Sequence, residues 1–418
     1  MKKKWYRIIA FLLSIFLSTG YLCASCPNMV WGGKLIGFLG AVNRSQLHLF
    51  EYKNKWIEVP LQIDPFGSNG RLKFFKGDDW QKYLLQKNDR VIFSEPKGQK
   101  APRGRLPCGS DRALEIDSGL GVSYLIVCPS AYPSSMGIFL PKVKHTPMKR
   151  KVSSPEYEYE YGQSNQLVFD KLSVNLGAET LGFSKLAENS DQVIIAKIRN
   201  FFDMRFGVED LEAKIVDERP GPLSLIGRLA FRLNILVFSI DLHLYPEVSF
   251  YKDSVFLPMV FHSPVSMRDY LEKDSGLFYS WKTSDSVGFL RSRWRMPLWK
   301  ASSVNDALSF CGIKNCWFSL LGKVRQGYFA LEFNIGKPLV KKGFFPQFFG
   351  SRAIVEAIVG QTISDKAGDR QGLFFDVSQL EKGEHIWEFW IRFSDSLTEL
   401  AQSCGQSNQL RTTMLYRK

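Results

Sequence analysis

The chain has 418 residues, 14 % of them aromatic, with 55 Lys and Arg against 41 Asp and Glu and a formal charge of +14. With 45 % hydrophobic and 23 % charged residues it has side chains enough for a packed core, which excludes a disordered or fibrous chain. Beyond the leader no apolar run approaches the ~18 residues of a membrane helix, so no later transmembrane span is expected.

The leader MKKKWYRIIAFLLSIFLSTGYLCAS has a basic front (Lys2, Lys3, Lys4, Arg7), an apolar run from Ile8 to Leu17 and small residues behind it. This is the pattern of a secretory signal peptide over residues 1–25, ahead of Cys26, which is also a position for a lipid anchor. Its removal takes four basic and no acidic residues and leaves a charge of +10. Export to the periplasm or cell envelope makes disulfides plausible. Cys108 and Cys128 flank a hairpin and are the first expected pair, and Cys311 and Cys316 enclose a short loop. No His lies near these pairs, so neither a metal nor a cofactor is expected.

Leu35–Phe50 and Lys55–Ile63 read as early strands, Gly77–Leu85 as a short helix after an Asp cap, and Arg90–Ser94 as a strand. The hairpin around Ala113–Cys128 follows. Pro129–Pro155 is proline-rich and basic, which places a domain boundary near Arg150 and divides the chain into residues 26–150 and 151–418. Glu156–Tyr161 alternates strictly, so three carboxylates share one face and three phenols the other. Strands are read at Leu167–Asn175 and Gln192–Ile198, and then through Val208–Pro264, where the apolar phase slips after Ile235 and a bulge is expected. Gly276–Trp281, Gly288–Arg293, Tyr328–Ile335, Leu373–Val377 and His385–Phe393 complete the strands. Beyond Gly77–Leu85, helices are expected only at Val304–Cys311, Ala353–Val359 and Ser396–Ser403. Many aromatic strands with few helices point to a mainly β fold, an antiparallel β-sandwich in two β-rich domains.

Trp56–Asp64 (WIEVPLQID), Lys87–Phe93 (KNDRVIF), Leu114–Asp117 and Tyr124–Ile126 resemble the opening domain of a group of uncharacterised exported bacterial β-sandwich proteins. That group has a "VPxQxD" strand, a strand with Asp-Glu before an apolar run, and an "EI…YL" hairpin. The similarity extends loosely to Glu218–Pro264, with Gly221-Pro222 ahead of strands. Similar openings occur in sandwich domains attached to polysaccharide-degrading enzymes. Where the group has Asp-Glu, this chain has Asp89-Arg90. The resemblance implies a fold and no activity.

The chain lacks a His-Glu-x-x-His zinc motif, a nucleophile elbow, a phosphate loop and a dinucleotide fingerprint. Ser94…Lys97 and Ser249…Lys252 match Ser-x-x-Lys outside any helix start and are read as chance. Glu156, Glu158 and Glu160 are read as a solvated face, with Ca²⁺ binding or acid/base work as the alternative. Tyr157, Tyr159 and Tyr161 are read as a half-buried face rather than a sugar platform, and the five histidines as structural. Around Pro346, Lys341–Phe349 offers four Phe for the core or for a membrane interface. The most site-like stretch is Arg291–Lys300: Trp294 and Trp299 supply flat faces, and Arg291, Arg293 and Arg295 supply charge for an anionic ligand. The leading expectation is non-catalytic binding of an acidic glycan, a lipid surface or an envelope protein, with no nucleic-acid partner. The alternatives are a polysaccharide lyase or glycosidase, for which Tyr159, His243, Arg293 or Arg295 would supply base and cation, and a structural assembly partner using an exposed sheet edge.

Overall fold

A computed structural model describes residues 28–66, 72–73, 83–94, 96–102, 106–110, 112–119, 121–129, 132, 142–163, 165–175, 184–201, 203–235, 238–242, 247–263, 265–283, 287–289, 315–324, 327–349, 370–395 and 411–416. The expected signal peptide at 1–25, Arg291–Lys300 and the three expected helices at 304–311, 353–359 and 396–403 lie outside them.

In chain order the strands begin with β1 (Asn28–Trp31), β2 (Leu47–Tyr52), β3 (Trp56–Val59), β4 (Leu61–Asp64), β5 (Arg90–Phe93), β6 (Arg112–Asp117) and β7 (Val122–Val127). There follow β8 (Lys144–Thr146), β9 (Lys151–Ser153), β10 (Tyr157–Tyr161), β11 (Phe169–Val174), β12 (Ser184–Lys197), β13 (Asp203–Phe206), β14 (Leu211–Pro220), β15 (Ser224–Ile235), β16 (Phe238–Leu242), β17 (Glu247–Tyr251) and β18 (Ser254–Ser263). The last are β19 (Gly276–Thr283), β20 (Val287–Phe289), β21 (Asn315–Val324), β22 (Gly327–Gly336), β23 (Pro346–Phe349), β24 (Arg370–Asp376), β25 (Gly383–Ser394) and β26 (Arg411–Tyr416). Among the described residues two α-helices join them, α1 (Gly32–Leu39) and α2 (Lys337–Lys341).

These elements fall into two compact units. The first takes in Tyr21–Lys142, Arg219–Leu225 and Gln402–Lys418, and the second Val143–Glu218 and Ile226–Ala401. In the first unit the sheets run β1-β5-β4 and β26-β6-β7-β2-β3, antiparallel throughout. A helix replaces the start of the strand expected at Leu35–Phe50, because Leu35, Ile36 and Leu39 have helical spacing and bury one face. Gly32 opens it where the backbone is crowded: a Cβ there would stand 2.0 Å from the Gln86 carbonyl oxygen. Pro60, with no N–H to donate, breaks the expected strand Lys55–Ile63 into β3 and β4, which join different sheets. The Cys108–Cys128 disulfide forms beside the β6–β7 hairpin with a Cα–Cα distance of 5.6 Å. Cys316 is also disulfide-bonded.

In the second unit, two nine-stranded antiparallel sheets face each other. One runs β23-β24-β19-β12-β11-β10-β9-β8 with β13 on β12, and the other β14-β15-β17-β18-β25-β22-β21-β20 with β16 on β15. The phase slip after Ile235 is not a bulge. Ile235 pairs with Phe238, so the chain reverses into β16 and a hairpin resets the phase. The strand β21 escapes sequence reading because Gly322 interrupts its alternation; that glycine makes room for the Phe329 ring, whose nearest carbon would lie 2.0 Å from a Cβ. Phe333 and Phe375 meet across the sheets at 5.2 Å and Tyr157 and Phe393 at 5.1 Å. Phe344 is fully buried against Trp387 (4.7 Å) and Phe375, so this part of Lys341–Phe349 is core and not a membrane contact.

β10 shows why the sandwich holds. Its tyrosines are buried, and the Tyr157 hydroxyl donates to the Tyr251 carbonyl at 3.0 Å. Its outer face is an ion ladder: Lys252 on Glu156 (2.8 Å), Lys151 on Glu158 (2.7 Å) and Lys171 on Glu160 (3.3 Å). The two faces therefore contribute differently. Tyr157→Phe should lower unfolding free energy by about 1 kcal/mol through the lost buried hydrogen bond, whereas Glu158→Gln should change it by less than about 0.5 kcal/mol, both read by urea denaturation.

Candidate functional site

In the first unit the end of β4 carries Gln62 and Asp64 two residues apart, on one face of the strand. Asp64 is fully buried, and β5 sets Arg90 directly opposite it. The Arg90 guanidinium lies 3.5 Å from Asp64 Oδ2, and Arg219 donates to Asp64 Oδ1 and, at 3.2 Å, to the Ile63 carbonyl. Gln62 locks the turn that brings Arg219 in. Its Nε2 donates to Asp64 Oδ1 (2.9 Å) and Ser224 Oγ (2.7 Å), while its Oε1 accepts the N–H groups of Leu223 (3.2 Å) and Ser224 (2.9 Å). The approach requires Gly221, where a Cβ would stand 2.3 Å from Gln62 Oε1.

A third arginine, Arg44, belongs to the same electrostatic group. Burial pulls its guanidinium down to about 9, the like charge of Arg219 acts in the same direction, and Asp64 opposes both. The positive field of the cluster thus outweighs its one carboxylate at Arg44. Arg90 lies over the Phe66 ring at 4.4 Å, and its buried Nε has no hydrogen-bond partner. Arg219 and Arg44 retain partial solvent contact. The neighbouring Asp89 is tied to the backbone, accepting from the N–H groups of Phe66 (2.9 Å) and Gln86 (2.7 Å) and from the Tyr83 hydroxyl (3.0 Å). Burial nevertheless raises its pKa. Guanidiniums held by a strand, a sheet partner and a locked turn are preorganised to receive a carboxylate or sulfate.

The second unit contains two further polar constellations. At the edge of one sheet, His145 Nδ1 is 2.6 Å from Glu218 Oε2 and His145 Nε2 is 2.6 Å from the Tyr161 hydroxyl. Burial and Glu218 raise the Tyr161 pKa, and Arg150 acts against them. In the other sheet, Glu332 pairs with Arg392 (3.3 Å) and Asn334 donates to Glu388 (2.9 Å), beside the fully buried Trp390. Burial raises the Glu332 pKa despite Arg392. Between the sheets, a cavity lined by Phe169, Tyr279, Trp281 and Phe389 has about 20 Å³, room for one water and too little for a sugar.

The expected ligand residues Arg291, Arg293, Trp294, Arg295 and Trp299 lie outside the described residues, as does His243. Tyr159 is buried and donates to the Leu167 carbonyl at 2.6 Å. Ser249 is buried and Lys252 is on Glu156, so this Ser-x-x-Lys forms no pair. His48 is buried against Glu58 (2.7 Å), and His385 bonds the Glu381 carbonyl (2.7 Å). Sequence reading singled out Gln62, Asp64, Asp89 and Arg90 only as strand grammar. It missed Arg44 and Arg219, which nothing in their local sequence connects to β4. Among the described residues no group of three or more His, Cys, Asp or Glu is placed to hold a metal, and no helix is long and apolar enough to cross a membrane.

No protein-family model matches the chain, and no curated protein sequence matches it. Among solved structures it is similar to an α-mannosidase from Enterococcus faecalis V583, at 10 % identity and a TM-score of 0.38, over 89 % of this chain and 41 % of that one. It is similar also to a glycosyl hydrolase family 38 protein from Enterococcus faecalis (9 %, TM-score 0.39, 88 % and 41 %) and to a bacterial glucoamylase (12 %, TM-score 0.28, 64 % and 35 %). The chain thus spans less than half the length of these structures. Likenesses of this size imply no shared chemistry.

Two outcomes follow from the buried charges. Asp64→Asn leaves three guanidiniums without their central carboxylate and should cost about 3–5 kcal/mol in urea denaturation. Glu332 holds its proton to higher pH in the folded chain than in the unfolded one, so stability should fall as pH rises above 4.5, the ordinary Glu value, and level off beyond the raised one. Glu332→Gln should flatten that slope in denaturation midpoints measured across acid to neutral pH.

Proposed function

We propose that this chain is an extracytoplasmic binding protein for an acidic glycan, whose uronate or sulfate groups are received by Arg44, Arg90 and Arg219 around Asp64. The observation that carries the reading is the grouping of three guanidiniums round one buried carboxylate, with Arg90 3.5 Å from Asp64 and Arg219 donating to it, so an anion entering the cluster offsets the excess positive charge and gains charge-assisted hydrogen bonds. The leader pattern and the Cys108–Cys128 disulfide support export. The net positive charge favours acidic partners at long range.

A second reading, a lyase on the same class of glycan, is favoured by the Glu218–His145–Tyr161 relay. Passing the Tyr161 proton to His145 Nε2, with Glu218 on Nδ1, would leave a phenolate able to take a proton beside a uronate carboxylate. The raised Tyr161 pKa works against that step, which is why binding is the leading reading.

Thermal melting of the full chain should rise with glucuronate and with sulfate, and stay flat with glucose at matched ionic strength. Arg44→Gln should melt no lower than the wild type without ligand and lose the anion-dependent rise. An unchanged rise in Arg44→Gln would remove the cluster as the site. For the lyase reading, incubation with polygalacturonate or alginate should give an unsaturated, ultraviolet-absorbing product that Tyr161→Phe abolishes.

A further inference from the structure

Among the described residues large hydrophobic side chains are mostly buried, and two aromatic exceptions stand on neighbouring turns of the second unit. Phe201 is 67 % exposed and Tyr270 46 %. The turn after β12 is tied to the turn before β19 by an Ile198–Leu271 bridge, by the Arg199 N–H on the Tyr270 carbonyl (2.9 Å) and by Glu272 N–H on the Lys197 carbonyl (2.8 Å). The Arg199 guanidinium crosses to the Arg268 carbonyl at 3.0 Å. Each turn is also closed on itself, Phe201 N–H on the Ile198 carbonyl and Tyr270 N–H on the Met267 carbonyl, both at 3.0 Å. Asn200, at φ +60°, completes the tight reversal that puts Phe201 at its tip. The two rings are therefore carried on a cross-braced pair of turns.

We infer that Phe201 and Tyr270 form a contact surface for a carbohydrate chain, with pyranose rings stacking on the aromatic faces and hydroxyls bonding Arg199, Asn200, Arg268 and Asp269, all of which are exposed. Three features select this occupant. Arg199, Asn200, Arg268 and Asp269 precede the two aromatic residues in the chain and are themselves exposed, so these turns do not present the purely apolar surface that seats a protein partner or enters a bilayer. The charges around them alternate, Arg199, Arg268 and Lys273 against Asp269, Glu272 and Asp274, which provides little net pull on an anionic membrane. Donors and acceptors stand side by side next to a flat apolar face, as a sugar requires and a lipid tail does not. The surface recognises the uncharged face of a sugar, so it is independent of the arginine cluster and of the reading built on it.

The test is affinity electrophoresis of the full chain through gels containing laminarin, galactomannan or polygalacturonate, with a parallel flotation assay on vesicles of phosphatidylglycerol and phosphatidylcholine. At least one polysaccharide should retard the wild type by an amount that salt changes little. Phe201→Ala/Tyr270→Ala should lose at least about tenfold in affinity, the loss of more than ~1.4 kcal/mol, and Phe201→Trp should retain it. Arg44→Gln should keep this salt-insensitive retardation, which separates the surface from the anion site. Retardation equal in the double variant, no retardation in any gel, or aromatic-dependent flotation with vesicles would overturn the inference.

Discussion

The second unit depends on one constraint: two sheets of nine strands must each bury a full face against the other, across the ~10 Å that separates packed sheets. Large rings meet that spacing with few side chains. Phe333, Phe389 and Phe375 meet in one group, Phe344 and Trp387 extend it, and Tyr157 and Phe393 continue the contact along the interface. Tyrosines join this layer because their hydroxyls find carbonyl acceptors, as Tyr157 does on Tyr251 and Tyr159 on Leu167. The aromatic-rich composition is therefore a requirement of the architecture before it is a sign of ligand binding.

Charge is handled differently in the two units. On β10 each carboxylate faces a lysine at the surface, where water screens both and the pairs contribute little. Around Asp64 the carboxylate and Arg90 are buried and Arg44 and Arg219 half-buried, and the guanidiniums outnumber the carboxylate they share. Burying like charges together is unfavourable for folding alone. Such an arrangement is understandable when the field it creates is used, and an oxyanion is the partner it suits. Arg90 is central here: a carboxylate in its place beside Asp64 would cancel the charge of Arg44 and Arg219 and leave the cluster with no positive excess.

Strand periodicity made most of the sandwich legible. β10, β22 and β25 alternate in side-chain character over five or more residues, and each lies close to its expected bounds; in β10 burial alternates with the same period of two. The reading failed where a local signal has two structural causes. A phase slip fits a bulge or a hairpin, and after Ile235 it is a hairpin. An apolar run of mixed spacing fits a strand or a helix, and at Gly32–Leu39 it is a helix because one face packs on the core.

By itself, the sequence determined the mainly β antiparallel architecture, the Cys108–Cys128 pairing and the two faces of β10, since each depends on residues close together in the chain or on a strict period. Only the tertiary structure assembled Arg44, Asp64, Arg90 and Arg219, and likewise His145, Tyr161 and Glu218. The physical reason is separation: Arg219 is 155 residues from Asp64 and Glu218 is 73 from His145. A contact between groups so far apart leaves no periodic trace in either segment, and it exists only once strand pairing and a locked turn have brought them together.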